Sequence, residues 1–186
     1  MYLGKVICIP DTQKAAERDE AFFSGKAPPP PAFPSLTDGI LHRDDDGVAR
    51  APAGLLSPHG TVCVGNQTGR FDDIVGLGFV LVSRSLAAES ALGARQRAFL
   101  DEIGAKRVVV VASGAAAGRT ALLDLDGKFI PYMAQHGIHT MLVRPDFYVY
   151  GVAAQASEVN QLVDDLAADL YRHGVSLPAR RELQAA

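Results

Sequence analysis

The last third of the chain carries the most regular pattern of apolar and polar positions. From Val159 to Tyr171, apolar residues recur at spacings of three and four, as on one face of an amphipathic helix. Ser157 is the expected N-cap of this helix, and Gly174 follows its expected end. The residues predicted on its inner face are Val159, Leu162, Val163, Leu166, Ala167, Leu170 and Tyr171.

Apolar runs alternate with helical stretches in the residues before this helix. Helices are predicted over about 86–103 and 126–136. Strands are predicted at Gly78–Ser83, Lys106–Ala112, Ile138–Val143 and Phe147–Ala153. The run Lys106–Ala112 (KRVVVVA) is rich in valine, which predicts a parallel strand with both faces buried.

The predicted order of elements is β-α-β-α-β-β-α, a parallel crossover followed by a hairpin and a last helix. Arg144-Pro145-Asp146 joins the last two strands, and its proline favours a turn. This order is thioredoxin-like. It predicts the α/β class, with a sheet of about four strands and helices on both faces.

Proline dominates the beginning of the chain, where eight of the 11 prolines fall within the first 58 residues. The run Pro28–Pro31 favours extended polyproline II and cannot join a helix or a central strand. A helix is predicted before it at about Thr12–Phe23, capped by Asp11 or Thr12, and a short strand or helix end at Leu3–Ile9. An extended arm then runs to about residue 68. Residues 1–70 are therefore predicted to be a helix with a proline-rich connecting arm, and residues 71–186 a thioredoxin-like domain.

Composition and charge exclude two classes of partner. The 186 residues include 18 Lys and Arg against 21 Asp and Glu, so no basic stripe for nucleic acid is expected. Trp is absent and 7% of residues are aromatic, which also argues against a base-stacking surface. The longest apolar stretch, Ile74–Val82, is too short to span a bilayer, and the run before Pro10 is too short for a signal peptide. A cytoplasmic protein is expected, without membrane or nucleic-acid partners.

The two cysteines argue against thiol chemistry. Cys8 and Cys63 each lie in an apolar run, which predicts buried structural thiols. In a thioredoxin-like order, a catalytic cysteine pair would fall near Arg84–Ala87, and that segment contains no cysteine. Because thiol–disulfide exchange requires a thiolate, a dithiol oxidoreductase is excluded.

Four other motifs have ordinary structural explanations. Gly114–Thr120 lacks the spacing and the lysine of a phosphate-binding loop and predicts a flexible connector. Gly76–Gly78 precedes a strand, whereas a dinucleotide fingerprint follows one, so it predicts a turn. Asp44–Gly47 lacks the alternation of a calcium loop and predicts a solvated turn. His136 and His139 flank a helix end without sharing a helical face, so they are expected to be exposed or to cap that helix and to bind no metal.

Four stretches together resemble one family. The most specific is LVRPDFYVYG at Leu142–Gly151, which is similar to the hairpin near the end of FAD-dependent aromatic-ring hydroxylases. These are the enzymes of the phenol hydroxylase and 3-(3-hydroxyphenyl)propionate hydroxylase type. The other stretches are Leu123–Gly127 with Met133–Gly137, Gly69–Phe79 (GRFDDIVGLGF), and Leu3–Ile9 with Glu17–Asp19.

The resemblance implies the C-terminal, thioredoxin-like part of such a hydroxylase. The family's flavin-binding motifs, among them an N-terminal G-x-G-x-x-G, do not occur in this sequence, so no catalytic, cofactor-binding or metal-binding residue is assigned. FAD and NAD(P)H would enter only with a separate flavin domain. A ligand contact by Arg144 remains an alternative to its role in the turn. The motif-matching residues given structural roles are Arg70, Phe71, Asp72, Asp73, Gly127, Arg144, Pro145, Asp146 and Tyr148.

The leading functional prediction is a non-catalytic C-terminal module that serves subunit packing or dimerisation. Its partner would be a flavin-containing hydroxylase subunit or a second copy of the chain. Since the resemblance begins close to Met1, the chain is expected to be the C-terminal portion of a larger hydroxylase, encoded or produced separately. One alternative is a part of an FAD- and NAD(P)H-dependent monooxygenase that hydroxylates a phenolic acid such as 3-(3-hydroxyphenyl)propionate. Another is a stand-alone small-molecule binding protein.

Overall fold

A computed structural model of the chain describes residues 8–27, 35–115 and 120–174. The chain divides into two compact units, Met1–Pro34 and Ser35–Ala186. Most of the element predicted at Leu3–Ile9 and the whole run Pro28–Pro31 lie outside the described residues.

The first unit contains helix α1, Thr12–Phe23, with the bounds predicted from the sequence. Asp11 caps it, since its carboxylate accepts the backbone N–H groups of Gln13 and Lys14 at 3.0 Å each. None of the described residues of this unit is buried, and Phe23 is 91% exposed.

The second unit is built on one mixed sheet of seven strands, counted over the described residues. Their order in space is β2-β1-β5-β4-β3-β6-β7. Strands β3, β4 and β5 are parallel neighbours, and the other pairings are antiparallel. The strands are β1 (Thr61–Val64), β2 (Gln67–Arg70), β3 (Val80–Ser83), β4 (Lys106–Ala112), β5 (Leu122–Asp124), β6 (Thr140–Val143) and β7 (Val149–Ala153).

Helices cover both faces of this sheet. One apolar cluster joins Phe71 and Phe129 to Val82 and other residues on one face, and a second joins Leu81 to Leu166 and others on the opposite face. The helices of this unit are α2 (Phe71–Val75), α3 (Ala87–Ala91), α4 (Ala94–Glu102), α5 (Phe129–Gln135) and α6 (Val159–Arg172).

The predicted α/β class and the predicted order of elements are both confirmed. From β3 onward the chain runs through α3 and α4, β4, α5, β6, β7 and α6, with the short strand β5 added after β4. Helix α6 buries the predicted Val159, Leu162, Val163, Leu166 and Leu170. Tyr171, by contrast, is 62% exposed, so its placement on the inner face was wrong.

The sheet is larger than the predicted four strands because part of the predicted arm is sheet. Strands β1 and β2 pair as a hairpin, and β1 continues into the sheet by pairing with β5. The turn between them is Gly65-Asn66, with Gly65 at φ 56. A two-residue loop that starts with Gly is a recognised hairpin signal, which the sequence interpretation overlooked. The domain boundary between residues 70 and 71 remains a prediction.

The single helix predicted over 86–103 is two helices. Leu92 and Gly93 have extended ψ values of 128° and 163°, which separates α3 from α4. Asn160 of α6 satisfies the backbone at this break, since its amide donates to Ala91 O at 2.9 Å and its carbonyl accepts from Gly93 N at 2.8 Å. A tertiary contact therefore stabilises a break that apolar periodicity does not show.

Three finer predictions were wrong. Strand β4 is buried only at Val110, because the apolar cluster formed by α4 and α6 includes no residue of this strand. Ser157 does not cap α6. It lies in a 3₁₀ turn in which Glu158 accepts the N–H of Gln155. Cys63 is only half-buried, because its neighbour in β1 takes the core-facing position.

Cys8 is exposed, which also contradicts the expected burial of this thiol. It belongs to the first unit, in which the described residues bury no side chain. An apolar run in the sequence is therefore not sufficient to indicate a core position.

Residues 35–57, called the strap below, run along the outer edge of β7. His42 N donates to Tyr150 O at 2.9 Å, and Val149 N donates to Leu55 O at 2.8 Å. Gly151 allows the close approach, since a Cβ there would lie 2.5 Å from His42 Cβ. The strap thus pairs backbone groups that β7 would otherwise present at an open edge.

Candidate functional site

The motif residues found in the sequence gather at two places in the fold. Gly69–Phe79 and Leu123–Gly127 meet where β1, α2, β5 and α5 pack, and the rings of Phe71 and Phe129 are in contact there, tilted by 37° with centroids 4.7 Å apart. The hairpin motif Leu142–Gly151 forms the end of β6, the turn that follows it and most of β7, under the strap. The structure therefore does not bring all family-motif residues into one site.

Asp124 holds the beginning of α5. One carboxylate oxygen accepts Lys128 N at 2.9 Å, and the other accepts Phe129 N at 2.8 Å and Ile130 N at 2.9 Å. The side chain is buried, with 1% of its surface exposed. Carboxylates at helix N-termini satisfy free N–H groups and the positive end of the helix dipole. The sequence interpretation missed this residue, although an Asp before a helix is a capping signal.

Asp126 and Gly127 complete this turn. The Asp126 carboxylate accepts Thr61 N at 2.7 Å, and this hydrogen bond holds the pKa of Asp126 below its ordinary value. Gly127 has φ 61, a conformation that disfavours side chains. The Asp-Leu-Asp-Gly motif therefore joins β5 to α5 and to β1.

The Arg70–Asp73 residues start α2. Arg70 stands before the helix with an extended ψ of 150°, and the next residue, Phe71, is buried. Asp72 and Asp73 occupy the first turn, where carboxylates favour the helix dipole. Asp72 Oδ1 lies 3.6 Å from His59 Nε2, an ion-pair distance longer than a hydrogen bond. The four motif residues lie at positions that serve the fold.

Arg144 links the hairpin turn to the strap. Its guanidinium donates to both carboxylate oxygens of Asp146, at 3.0 and 2.8 Å, and to Ile40 O at 2.6 Å. Bidentate pairing of this kind fixes the position of both side chains. Tyr148 O accepts Arg144 N at 2.8 Å across the turn, and Pro145 is exposed at the tip. This geometry agrees with the predicted role in the turn, and it leaves the alternative of a ligand contact as a prediction.

A cavity of about 380 Å³ lies between the strap and α6. Its ionisable side chains form pairs: His42 Nε2 lies 3.1 Å from Asp165, and Arg172 lies 2.7 Å from Asp169. Tyr150 forms part of the wall, and its hydroxyl donates to Asp169 at 2.8 Å. The cavity therefore has a polar wall in which acidic and basic groups already have partners.

Among the groups that line this cavity, Tyr150 has the most strongly shifted pKa. Burial, followed by the hydrogen bond and the negative charge of Asp169, raises its pKa well above the ordinary value for tyrosine. The phenol is thus held protonated as a hydrogen-bond donor. Tyr150 belongs to the Leu142–Gly151 motif, but the sequence interpretation did not assign it a role.

Ser85 and His139 form a separate polar contact at the end of β3. Ser85 Oγ lies 3.0 Å from His139 Nε2, and His139 Nδ1 lies 2.9 Å from Thr140 Oγ1. Ala87 N donates to Ser85 Oγ, so the serine supports the start of α3. His139 is half-buried by these contacts, whereas His136 is exposed at the C-cap of α5 as predicted.

The remaining motifs behave as turns where the structure describes them. Asp44 accepts Val48 N at 2.9 Å and Asp46 N at 3.1 Å in the predicted solvated turn. Gly76 and Gly78 have φ values of 83° and 126° and lead the chain into β3, as predicted. The middle of the Gly114–Thr120 segment lies outside the described residues.

Over the described ranges, no group of three potential ligands could hold a metal ion, and no helix is long and apolar enough to cross a membrane.

Comparison with protein families finds one match that covers most of the chain. A family described as the HcaD C-terminal domain matches residues 54–169. A relative in Rhodococcus jostii (strain RHA1), named "Probable NADH-specific resorcinol 4-hydroxylase", is 29% identical over 170 residues. The match covers 89% of this chain and 30% of the relative, so the chain spans less than a third of that protein's length.

Two solved structures share a similar chain path. The flavin-dependent monooxygenase PieE, in complex with FAD and substrate, is 19% identical with a TM-score of 0.47, over 91% of this chain and 32% of that one. Aklavinone-11 hydroxylase, in a ternary complex with FAD and aklavinone, is 21% identical with a TM-score of 0.48, over 76% of this chain and 26% of that one.

Replacing Asp124 tests its role as a helix cap. Asp124→Ala leaves three N–H groups without their acceptor, and we expect unfolding free energy to fall by about 2–3 kcal/mol. Chemical denaturation measures the change. Asp73→Ala, at an exposed carboxylate near the start of α2, is the control and should change stability by less than about 1 kcal/mol. Equal effects of the two substitutions would contradict the role of Asp124.

The raised pKa of Tyr150 predicts a loss of stability in alkali. A tyrosine whose pKa is higher in the folded state stabilises the fold fully below its unfolded pKa of about 10, and this contribution is lost as pH rises above that value. Tyr150→Phe should lower stability at pH 7 by about 1–2 kcal/mol and flatten the decline above pH 10. Melting temperatures measured from pH 7 to 11 test this, with Tyr171→Phe at an exposed site as control. An unchanged alkaline slope in Tyr150→Phe would contradict it.

Proposed function

The chain belongs to the HcaD C-terminal domain family, and on that premise we propose that it is a non-catalytic module that packs against the flavin-containing part of an aromatic-ring hydroxylase. The predicted resemblance to the C-terminal part of such hydroxylases is confirmed by the family match. One observation carries the proposal: the hydroxylase relative aligns with 89% of this chain but extends far beyond it.

The roles of the motif residues support a module without chemistry of its own. Asp124 and Asp126 hold backbone N–H groups, Phe71 fills the core, and Arg144 ties the turn to the strap. Each of these roles stabilises the fold. Motif residues that are engaged within the fold in this way fit a module that positions another part of the protein.

The proposed packing role also indicates which part of the hydroxylase holds the cofactors. The relative is named as NADH-specific, and the two similar structures contain FAD as hydroxylases or monooxygenases. We assign FAD and NAD(P)H to the partner part, because the sequence of this chain lacks the G-x-G-x-x-G fingerprint. The partner is a flavin-containing hydroxylase part; self-association of the chain is the competing arrangement.

Complementation tests the proposal. The segment that matches this chain is removed from the Rhodococcus jostii hydroxylase, and this chain is supplied either as a separate protein or as a fusion. We expect a complex that retains FAD and oxidises NADH in the presence of resorcinol. The shortened hydroxylase alone and this chain alone are the controls.

Three outcomes would contradict the proposal. If the separate chain forms no complex by light scattering and the fusion retains no FAD, the packing role is wrong. If this chain alone forms a stable dimer and binds no hydroxylase, self-association replaces it. If this chain alone purifies with bound flavin and consumes NAD(P)H with a phenolic acid, it is a part of the catalytic machinery itself.

A second candidate function is the binding of a small molecule, which the cavity of about 380 Å³ favours. Pockets of this size hold small ligands in many proteins. A ligand that binds the folded chain raises its melting temperature. A panel of aromatic acids and their amides should give a saturable rise that is lost in His42→Ala, and a flat response across the panel would contradict this function.

A further inference from the structure

An apolar groove opens on the second unit away from the strap cavity. It has a volume of about 400 Å³ and is formed where the end of β1, helix α2 and the starts of β4 and β5 meet. Its apolar lining is aliphatic and includes Val64, Ile74, Val75, Val108 and Leu122. We call it the α2 groove. Four of these five side chains are only half-buried, so the fold leaves their apolar surface in contact with water.

Leu77 is an exposed apolar residue two positions after Val75, which lines the groove. It follows α2 between Gly76 and Gly78, and 78% of its surface is exposed. The turn obtains its geometry from the positive φ values of the two glycines and does not require a leucine between them. Exposed apolar side chains around a groove mark interaction sites in soluble proteins.

Charge at the groove is of one sign. Lys106 and Arg107 line it, and the lining includes no carboxylate. Arg107 is occupied, with Asp101 at 2.6 Å and Glu89 at 3.3 Å. Lys106 is exposed, and no carboxylate among the described residues lies within ion-pair distance of it. The groove therefore combines apolar walls with a cation, Lys106, that has no counter-charge among the described residues.

We propose that the α2 groove and Leu77 form the surface on which the flavin-containing hydroxylase part docks, and that this part presents an apolar side chain beside a carboxylate. The inference rests on the proposed function, and it identifies the face of the domain that contacts the flavin-containing part. An apolar anchor in a pocket with a charge partner at its rim is the usual arrangement of a specific interface.

The charge of the groove favours this occupant over a second copy. Two copies packed through the same face about a two-fold axis would place one cationic groove opposite another. Like charges across an interface oppose association. The relative in which this domain is continuous with a hydroxylase supplies a different surface, from the part of its length that this chain does not match.

Two exposed residues allow the surface to be tested without unfolding the domain. Leu77→Asp places a charge at the apolar rim, and Lys106→Glu reverses the unpaired cation. Leu86→Asp is the matched control, since Leu86 is 66% exposed and lies outside the groove. Melting temperatures of all three variants should stay close to that of the unchanged chain.

The readout is the affinity of each variant for the shortened Rhodococcus jostii hydroxylase, measured by analytical ultracentrifugation. We expect binding to weaken at least tenfold in Leu77→Asp and in Lys106→Glu and to be unchanged in Leu86→Asp. Hydrogen exchange should slow in the complex at residues 74–77 and 106–108.

The outcomes separate this inference from the function on which it rests. A complex that forms equally well with both groove variants overturns the docking surface and leaves the proposed function standing. No complex with the unchanged chain overturns both. Protection of residues 74–77 that grows with the concentration of this chain alone would make a second copy the occupant and overturn the inference.

Discussion

The second unit depends on how the outer edge of β7 is closed. An unpaired strand edge presents N–H and C=O groups that bind other strands, and proteins cover such edges with a loop or a helix. Here the strap pairs with Val149 and Tyr150, and Arg144 holds the strap through Ile40 O. Gly151 permits the close approach. The same arrangement creates the strap cavity, since the strap and α6 form its opposing walls.

At the opposite end of the sheet, backbone groups are also paired, but by side chains and not by a strap. Buried backbone groups must find partners, and Asp124 and Asp126 supply them for α5 and β1. The contact between the rings of Phe71 and Phe129 then fixes α2 against α5. Residues that could be taken for a catalytic acidic motif are thereby accounted for by the fold. The α2 groove is an apolar surface to which these structural roles do not extend.

Much of the fold could be predicted because its signals are local. The spacing of apolar residues gave α6, and the Asp11 cap together with the helical length gave α1. The predictions failed where a distant residue decides the backbone. Asn160 stabilises the break between α3 and α4, and pairing with β5 draws β1 into the sheet. Cys63 shows the limit of composition, because the register of β1 decides which face it takes.

The sequence by itself determined the α/β class, the order of elements from β3 onward and the family resemblance, since these depend on periodicity and on short contiguous motifs. It also predicts that the chain carries out no dithiol exchange, since Arg84–Ala87, where a catalytic pair is expected, contains no cysteine. Only the tertiary structure decided what the motif residues do. Arg144 and Tyr150 acquire their roles from partners far along the chain, and Lys106 is significant because no carboxylate among the described residues folds against it. Long-range contacts of this kind leave no regular spacing in the sequence.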